Sequence, residues 1–510
     1  MLLFFHDVSF TYEGAVNPLF SGISASFPVG WAGVVGANGT GKTTLLRIAC
    51  GEIEAQQGRI HRPGRLMYCA QRTDDPPSLL GPFTSCLDAD ACVLKGKLGV
   101  GEDWGDRWDT LSHGERKRAQ IAVALWQSPD VLAVDEPTNH IDADARRLLI
   151  EAMTTFRGIG LLVSHDREML DSLCGQCLFI DPPGVMMRTG GYTDGSAQAR
   201  IEDEQLRDEY EQAKTAAERL RREAIRRHQE ASRANRMRSK RGISPRDHDA
   251  KGKINLAKFT GVDGKAGRLA SQLDGRVRQA QERLSEFNIK RRHETDFWLP
   301  GSCSHRRVLF AIPAGELPLG EKLLLFPELV MAPDDRIAVT GPNGYGKSTL
   351  IRHIRDRLTL PGEKAIYIPQ EIDIPTSREI MAKVNGLSKE QLGRVMTIVS
   401  CLGSRPERLI GNLDASPGEI RKVLLALGVA RSPHLIIMDE PTNHLDLPAI
   451  ECLEDALDAC PCGLLLVSHD YRFLGRLADV RWHLAPDSPG DQDIRLRIGH
   501  VGDTHESEDW

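Results

Sequence analysis

No stretch of this 510-residue chain approaches the roughly eighteen consecutive apolar residues that a bilayer-spanning helix needs. The opening MLLFFHDVSF is apolar, but no basic region precedes it and no small-residue cleavage site follows. It reads as a first strand and not as an export signal. A second cysteine pair is also missing. Cys174 and Cys177 form one CxxC and Cys460 and Cys462 one CxC, yet neither has a partner pair at zinc-binding spacing nearby. The eleven cysteines are scattered and odd in number, which argues against a disulfide framework and for reduced thiols, semi-buried at element ends. Together these absences predict a cytoplasmic protein without a membrane segment. What remains is ordinary for soluble globular chains, 41% apolar and 27% charged, and long enough for two or three domains.

What the chain does have is itself, twice. VDEPTNHID (134–142) returns as MDEPTNHLD (438–446), an offset of 304. GANGTGKTT (36–44) returns as GPNGYGKST (341–349), LSHGE (111–115) faces ASPGE (415–419), and LLVSHD (161–166) faces LLVSHD (465–470). Four landmarks in one order at nearly one spacing mark a duplicated domain.

Each copy reads as a doubly wound α/β domain. WAGVVG is a short apolar strand, a glycine loop follows, and LLRIA starts a helix. Strand, G-x-x-x-x-G-K-[ST], helix is the setting of a phosphate-binding loop. Its glycines let backbone N–H groups turn inward, and the helix N-terminus adds positive potential. The loop residues are Gly36, Ala37, Asn38, Gly39, Thr40, Gly41, Lys42, Thr43 and Thr44 in the first copy. In the second they are Gly341, Pro342, Asn343, Gly344, Tyr345, Gly346, Lys347, Ser348 and Thr349. Lys42 and Lys347 are placed to reach the β- and γ-phosphates of a nucleotide, and Thr43 and Ser348 to bind magnesium. VLAVDE and LIIMDE read as buried strands ending in two carboxylates. Asp135 and Asp439 are placed to hold the metal through water, and Glu136 and Glu440 to polarise an attacking water.

The segment between the copies is different in kind. Residues 211–260 carry a balance of +9, and 261–300 of +2, against −6 for the whole chain. Leu206, Tyr210, Ala213, Ala217, Leu220 and Ala224 recur at helical spacing, as do Leu269, Leu273, Val277, Ala280, Leu284 and Phe287. Two such stripes around a Gly/Pro-containing stretch predict an antiparallel helical hairpin with its tip at 241–265. A first helix over 201–240 would extend about 60 Å. A basic helix often presents only a solvated face. RRHQEASRANRMRSKR (226–241), however, is so strongly one-signed that it repels itself unless an anionic surface is near, and phosphate backbone is such a surface. A membrane surface fits less well, because no bulky apolar face balances the polar one.

The motifs resemble those of the ATP-binding cassette superfamily, over about four fifths of the chain, and EPTNH is similar to its class F (ABC-F). The resemblance implies two P-loop NTPase cassettes joined by an α-helical hairpin: 1–205, then the linker 206–298, then 299–485, with 486–510 as an acidic tail. It implies that Ser112, Gly114 and Glu115, and Ser416, Gly418 and Glu419, belong to signature loops facing the opposite cassette's nucleotide. It implies that Gln71 and Gln370 are Q-loop glutamines at the magnesium, that His165 and His469 are switch histidines, and that Asp142 and Asp446 are D-loop aspartates. Tyr12 then sits where a ring stacks on adenine. The cassettes should complete each other's ATP sites head to tail within one monomer. The two sites should not be equivalent, because Ala415 and Pro417 depart from the usual signature and the residue at Tyr12's offset is Leu317. Family precedent makes the chain a cytoplasmic ATPase that uses ATP and Mg2+ and meets ribosomal RNA, and tRNA, through its linker. Its role is then translational housekeeping or protection from a peptidyl-transferase antibiotic. The spacing from Gln71 to Ser112 leaves no room for an arm domain, and no coiled-coil extension follows the second cassette, so a minimal architecture is expected. An exporter ATPase with a separate membrane partner, and a DNA-associated cassette ATPase, are the alternatives.

Overall fold

The computed structural model describes residues 1–15, 17–138, 141–182, 184–237, 262–287, 304–404, 406, 409, 415–443, 445–488 and 493–501, leaving aside the side chains of 230–237, 262–271 and 286. The chain divides into two compact units, residues 1–195 with 293–510, and residues 196–292. The first unit contains both repeats.

In the first repeat, strands β1 (Leu2–Phe10), β2 (Phe20–Pro28) and β4 (Gln57–His61) form a small antiparallel sheet. Its inward side chains, Leu3, Phe5, Val8, Ile23 and Phe27, are almost fully buried, as alternation along a half-covered strand requires. The larger sheet runs in the order β5 (Leu66–Cys69), β6 (Val131–Asp135), β7 (Ile159–Val163), β3 (Gly30–Gly36), β8 (Cys174–Asp181), β9 (Gly184–Thr189). All its pairs are parallel except β8 with β9. Strands β6 and β7 are buried at every position, because helices cover both faces of a parallel sheet. The helices that matter below are α1 (Lys42–Ala49), α4 (His113–Trp126), α5 (Ala143–Met153) and α6 (Arg167–Leu173). Short helices α2 (Leu80–Ser85) and α3 (Ala89–Leu98) precede α4. The glycine loop leaves the carboxyl end of β3, where open α/β sheets bind ligands.

The second repeat rebuilds this with one large sheet, β11 (Gly315–Leu319), β12 (Lys322–Phe326), β19 (Ile494–His500), β18 (Val480–Pro486), β14 (Arg336–Thr340), β17 (Gly463–Val467), β16 (Leu435–Asp439), β15 (Ala365–Ile368). A two-stranded pair, β10 (Phe310–Ile312) and β13 (Leu329–Met331), lies apart from it. The helices are α9 (Lys347–Asp356), α10 (Ile374–Asn385), α11 (Lys389–Cys401), α12 (Pro417–Val429), α13 (Leu447–Asp458) and α14 (Tyr471–Leu477).

Three expectations change here. The acidic tail 486–510 is not all tail: residues 494–500 are strand β19, paired antiparallel to β18 along its length. The alternation of buried Ile494 and Leu496 with exposed Arg495 and Arg497 is the pattern of an edge strand, masked in sequence by the acidic residues around it. Leu317 is not the counterpart of Tyr12. It lies inside β11, paired with Leu324, and only Gly320 and Glu321 connect β11 to β12. The first repeat spends residues 11–19 on the same connection. A constant offset fails where one hairpin is shorter. The cysteine pairs are buried within the fold, Cys174 and Cys177 on β8 and Cys460 and Cys462 before β17, and the described cysteines are unbridged.

Among the described residues, an apolar side chain of the second repeat also completes the core of the first. Leu447, the first residue of α13 in the second repeat, is 1% exposed and belongs to the apolar core of the first repeat that includes Trp31, Val35 and Leu162.

The second unit is a helix pair. Helix α7 (Tyr192–Met237) starts nine residues before the expected 201, and α8 runs over Val262–Glu286. Ala217, Ala224 and Leu273 are buried, and the Tyr210 and Phe287 rings meet edge to face at 5.8 Å. His228 Nε2 lies 2.9 Å from Asp274. Contacts between early α7 and late α8, and between later α7 and mid α8, make the pair antiparallel. Of the expected tip, residues 241–261 lie outside the described residues, and 262–265 already belong to α8. Asn139, His140 and His444 of the EPTNH words also lie outside them.

Candidate functional site

The glycine loops take the conformation their sequence demands. Gly41 and Gly346 precede α1 and α9 with φ of 94° and 87°, a region that side chains avoid. A Cβ on either would also strike a leucine, Leu19 at 2.6 Å in one copy and Leu319 at 2.6 Å in the other. Each leucine thus packs against the last glycine of its loop, Leu19 from just before β2 and Leu319 from the end of β11.

Inside each loop the lysine folds back on the backbone. Lys42 Nζ donates to the carbonyls of Gly36 (2.7 Å) and Ala37 (3.3 Å) and to Asn38 Oδ1 (3.4 Å). Lys347 Nζ donates to the carbonyls of Gly341 (2.6 Å) and Pro342 (3.0 Å). Burial lowers both ammonium pKa values, opposed by Glu136 and Asp446 at Lys42 and by Glu440 at Lys347. Thr40 braces the first loop through the Ala37 carbonyl at 2.8 Å. Tyr12 is half exposed, with its hydroxyl 2.7 Å from Thr44 Oγ1.

Glu136 and Glu440 have left-handed backbones, φ 44° and 49°. Residues with a Cβ avoid this region, and such strain gathers at functional sites. Each is pinned by its N–H, which donates to Val163 or Val467 at 2.8 Å. Nothing in the words DEPTN announces this geometry. Burial raises the Glu136 carboxyl to about 7, although Lys42 pulls it down. Glu440 is likewise held above the usual carboxylate range by burial. Burial, with Lys347 and Arg146 nearby, pushes His469 down to about 3, so its imidazole is neutral at physiological pH.

Asp135 Oδ2 accepts from the Tyr68 hydroxyl at 3.0 Å, while Oδ1 is buried without a hydrogen-bond partner. Asp439 is hydrogen-bonded to Ser348. One carboxylate oxygen and a hydroxyl fit magnesium, which takes few protein ligands and fills its shell with water and phosphate oxygens. Among the described residues no cluster of three or more His, Cys, Asp or Glu competes as a metal site.

Two basic residues that went unnoticed hold the glutamine loops. Lys117 Nζ donates to the carbonyls of Ala70 (2.7 Å) and Gln71 (3.2 Å). Arg421, 304 residues on, donates to the carbonyls of Gln370, Asn443 and Glu440. Their matched offset was the available signal. The signature serines cap α4 and α12 in reciprocal boxes, Ser112 with Glu115 and Ser416 with Glu419. Pro417 occupies the first helical position of α12, where no intrahelical N–H is lost.

The repeats meet at two cavities. The first, of about 540 Å³, is lined by Asn38, Gly39, Gly41, Lys42, Thr43 and Thr44, by Tyr12, Gln71, Asp135, Glu136 and His165, and from the other repeat by Ser416, Pro417 and Gly418. Asp446 Oδ2 also accepts from the Asn38 N–H at 2.6 Å. The second, of about 430 Å³, is lined by Asn343, Gly344, Gly346, Lys347, Ser348 and Thr349, by Gln370, Asp439, Glu440 and His469, and from the first repeat by Asp142 and Arg146. Gly36, Ala37, Thr40, Gly341, Pro342, Tyr345 and Glu419 line neither cavity. Ser112, Gly114 and Glu115 do not line the second cavity, so the two are built differently. Both volumes suit a small-molecule ligand.

A sequence model described as ABC transporter matches residues 21–139 and 327–443. The ribosome protection protein VmlR of Bacillus subtilis (strain 168) is 27% identical over 491 residues, covering 92% of this chain and 85% of that one. The tylosin resistance ATP-binding protein TlrC of Streptomyces fradiae is 28% identical, covering 92% and 95%. The ATP-binding cassette sub-family F member 2 of Mus musculus is 27% identical, covering 73% and 57%. The chain is an ABC-F protein. Its repeats are ATP-binding cassettes of the P-loop NTPase fold. Among solved structures, RNase-L Inhibitor superposes with a TM-score of 0.60 at 18% identity, over 96% of this chain and 90% of that one, which shows the fold alone. No described helix of this ABC-F chain is long and apolar enough to cross a membrane.

Proposed function

We propose that this ABC-F chain binds ATP with magnesium in the two shared cavities, hydrolyses it, and acts on the cytoplasmic ribosome, in translation or in protecting the peptidyl-transferase centre from an antibiotic. The observation that carries the reading is the first cavity, where Lys42 and Glu136 of one cassette face Ser416 and Gly418 of the other. The names of VmlR and TlrC, ribosome protection and tylosin resistance, supply the biological direction.

In this mechanism ATP draws Lys42 and Lys347 off their loop carbonyls and onto the phosphates. Thr43, Asp135 and Gln71 in the first site, and Ser348, Asp439 and Gln370 in the second, would hold magnesium, which would supply positive charge against the phosphates. Glu136 and Glu440 orient the attacking water, and His165 and His469 hold the γ-phosphate. Tyr12 stacks on adenine in the first site. Ser416 and Gly418 complete that site in trans, and Ser112 and Gly114 reach the second on full closure. The chain works as a monomer, 1–205 pairing with 299–485, while the linker 206–298 contacts rRNA and tRNA.

Two results are expected. Glu136 must be ionised to act as base, and in the free protein burial lifts its pKa to about 7. Since kcat/KM reports ionisations of the free enzyme, it should fall about tenfold per pH unit below 7 and level off above. A profile flat from about pH 5.5 to 8 would remove Glu136 from the role. Second, ribosome binding in ATP should weaken with salt as counterions return to phosphate. Replacing Arg226, Arg227, Arg233 and Arg236 by Gln should reduce the slope of log K against log salt by about 3, at roughly 0.7–0.9 per contact. An unchanged slope in a filter-binding titration would mean that the linker is not the contact, and absence of binding in both ATP and ADP would sink the ribosomal reading.

A further inference from the structure

Arg146 was not foreseen from the sequence. It lies one turn into α5, four residues after Asp142, and the matching position in the second cassette is Ile450. Its side chain is 9% exposed and, with Asp142, reaches from the first cassette to the wall of the second cavity. Nη1 donates to Asp166 Oδ2 at 3.2 Å and to the main-chain carbonyl of His469 at 3.3 Å. Nη2 pairs with Glu168 at 2.8 Å, and the guanidinium lies 5.4 Å from the Tyr471 ring centroid.

A buried arginine between two carboxylates of its own cassette is ordinary scaffold. The third bond is not, because it crosses to the other cassette and ends on a histidine of the site. His469 Nε2 sits 3.0 Å from Asn343 Oδ1 and 3.3 Å from Lys347 Nζ, and 3.6 Å from Glu440 Oε1. In the first cavity the order differs: His165 Nε2 is 3.1 Å from Glu136 Oε1. Ile450 offers no donor to the His165 carbonyl. A planar fork that binds Asp166 and the His469 carbonyl through one nitrogen ties the position of α5 to the position of the opposite switch loop.

We propose that Arg146 is a positioning residue lent by the first cassette, which holds the His469 loop against Lys347 and Asn343 and makes turnover in the second site depend on cassette docking. At the matching position of the second cassette, Ile450 cannot make this bond. The proposal rests on the second cavity being an ATP site.

The test uses the full chain carrying Glu136→Gln, so that only the second site turns over. Arg146→Ile should lower kcat roughly tenfold while KM for ATP stays within about twofold, and Arg146→Lys should recover part of the loss. A kcat within about twofold of the parent overturns the proposal. So does a rise in KM that matches the fall in kcat, or a loss that Lys does not relieve and that tracks a lower melting temperature, since those mark a scaffold role. Lys347→Ala in the same background separates the underlying reading: it should abolish second-site binding of a fluorescent ATP analogue. If it does not, the cavity is not a nucleotide site and the proposal falls with it. Lys347-dependent binding with an unaffected Arg146→Ile kcat sinks the proposal alone.

Discussion

A chain carrying Glu136→Gln with Glu440→Gln should bind ATP normally, hydrolyse it roughly 10²- to 10⁴-fold more slowly, and pellet with ribosomes in ATP but not in ADP. The amide keeps the shape of the carboxylate and still accepts from the His165 and His469 N–H groups, which now reach Glu136 Oε2 at 3.2 Å and Glu440 Oε2 at 3.4 Å. It cannot take a proton from water. Folding should not suffer, because both glutamates are buried beside another carboxylate, and removing that charge relieves the burial that raises their pKa values. On the proposed mechanism, ATP should then close the cassettes with no hydrolysis to reopen them. Sedimentation through a sucrose cushion reads the retention, and phosphate release reads the turnover. Equal pelleting in ATP and ADP would break the link between closure and ribosome binding.

Glu454→Ala should cost about 3–5 kcal/mol in chemical denaturation. Glu454 is 3% exposed on α13 of the second cassette and takes both nitrogens of Arg167 from the first, at 2.5 Å and 3.2 Å. Alanine leaves that guanidinium buried and uncompensated. Arg476, 3.5 Å from the same carboxylate, keeps Asp455 and Asp458. Around this pair Tyr192 donates to Glu451 at 2.8 Å, and Arg472 pairs with Asp171 at 2.7 Å. Loss of the central pair should therefore let the two cassettes melt separately in calorimetry. The double change Arg167→Met with Glu454→Leu should recover most of the stability, because two apolar groups leave no orphaned charge. A cost under about 1 kcal/mol for Glu454→Ala would show that water already reaches the pair.

The duplicated fold was legible because its chemistry is local in sequence. A glycine loop running into a helix, or an apolar strand ending in Asp-Glu, needs only neighbours, so Lys42, Lys347, Glu136 and Glu440 stood out in the chain itself. What escaped depends on distance. Lys117 reaches carbonyls 46 and 47 residues away, and Arg146 one 323 residues away. Main-chain acceptors carry no residue code, so such bonds leave no pattern. Tyr12's loop was misjudged for another reason, since a two-residue hairpin replaced a nine-residue connection and shifted the alignment. The strained backbone of Glu136 was invisible because φ is set by the carbonyl of β7 that its N–H must reach.

Leu447 has a consequence for biosynthesis. The first cassette can be made, and its sheet assembled, while a side chain that fills its core is still untranslated. At roughly 5–20 residues per second, about 250 further residues must be added, so the nascent half waits some 12–50 s with an apolar notch and an unmatched Arg167. Any factor that shields nascent chains has that interval in which to act, and any truncation before residue 447 leaves the first cassette permanently unfinished.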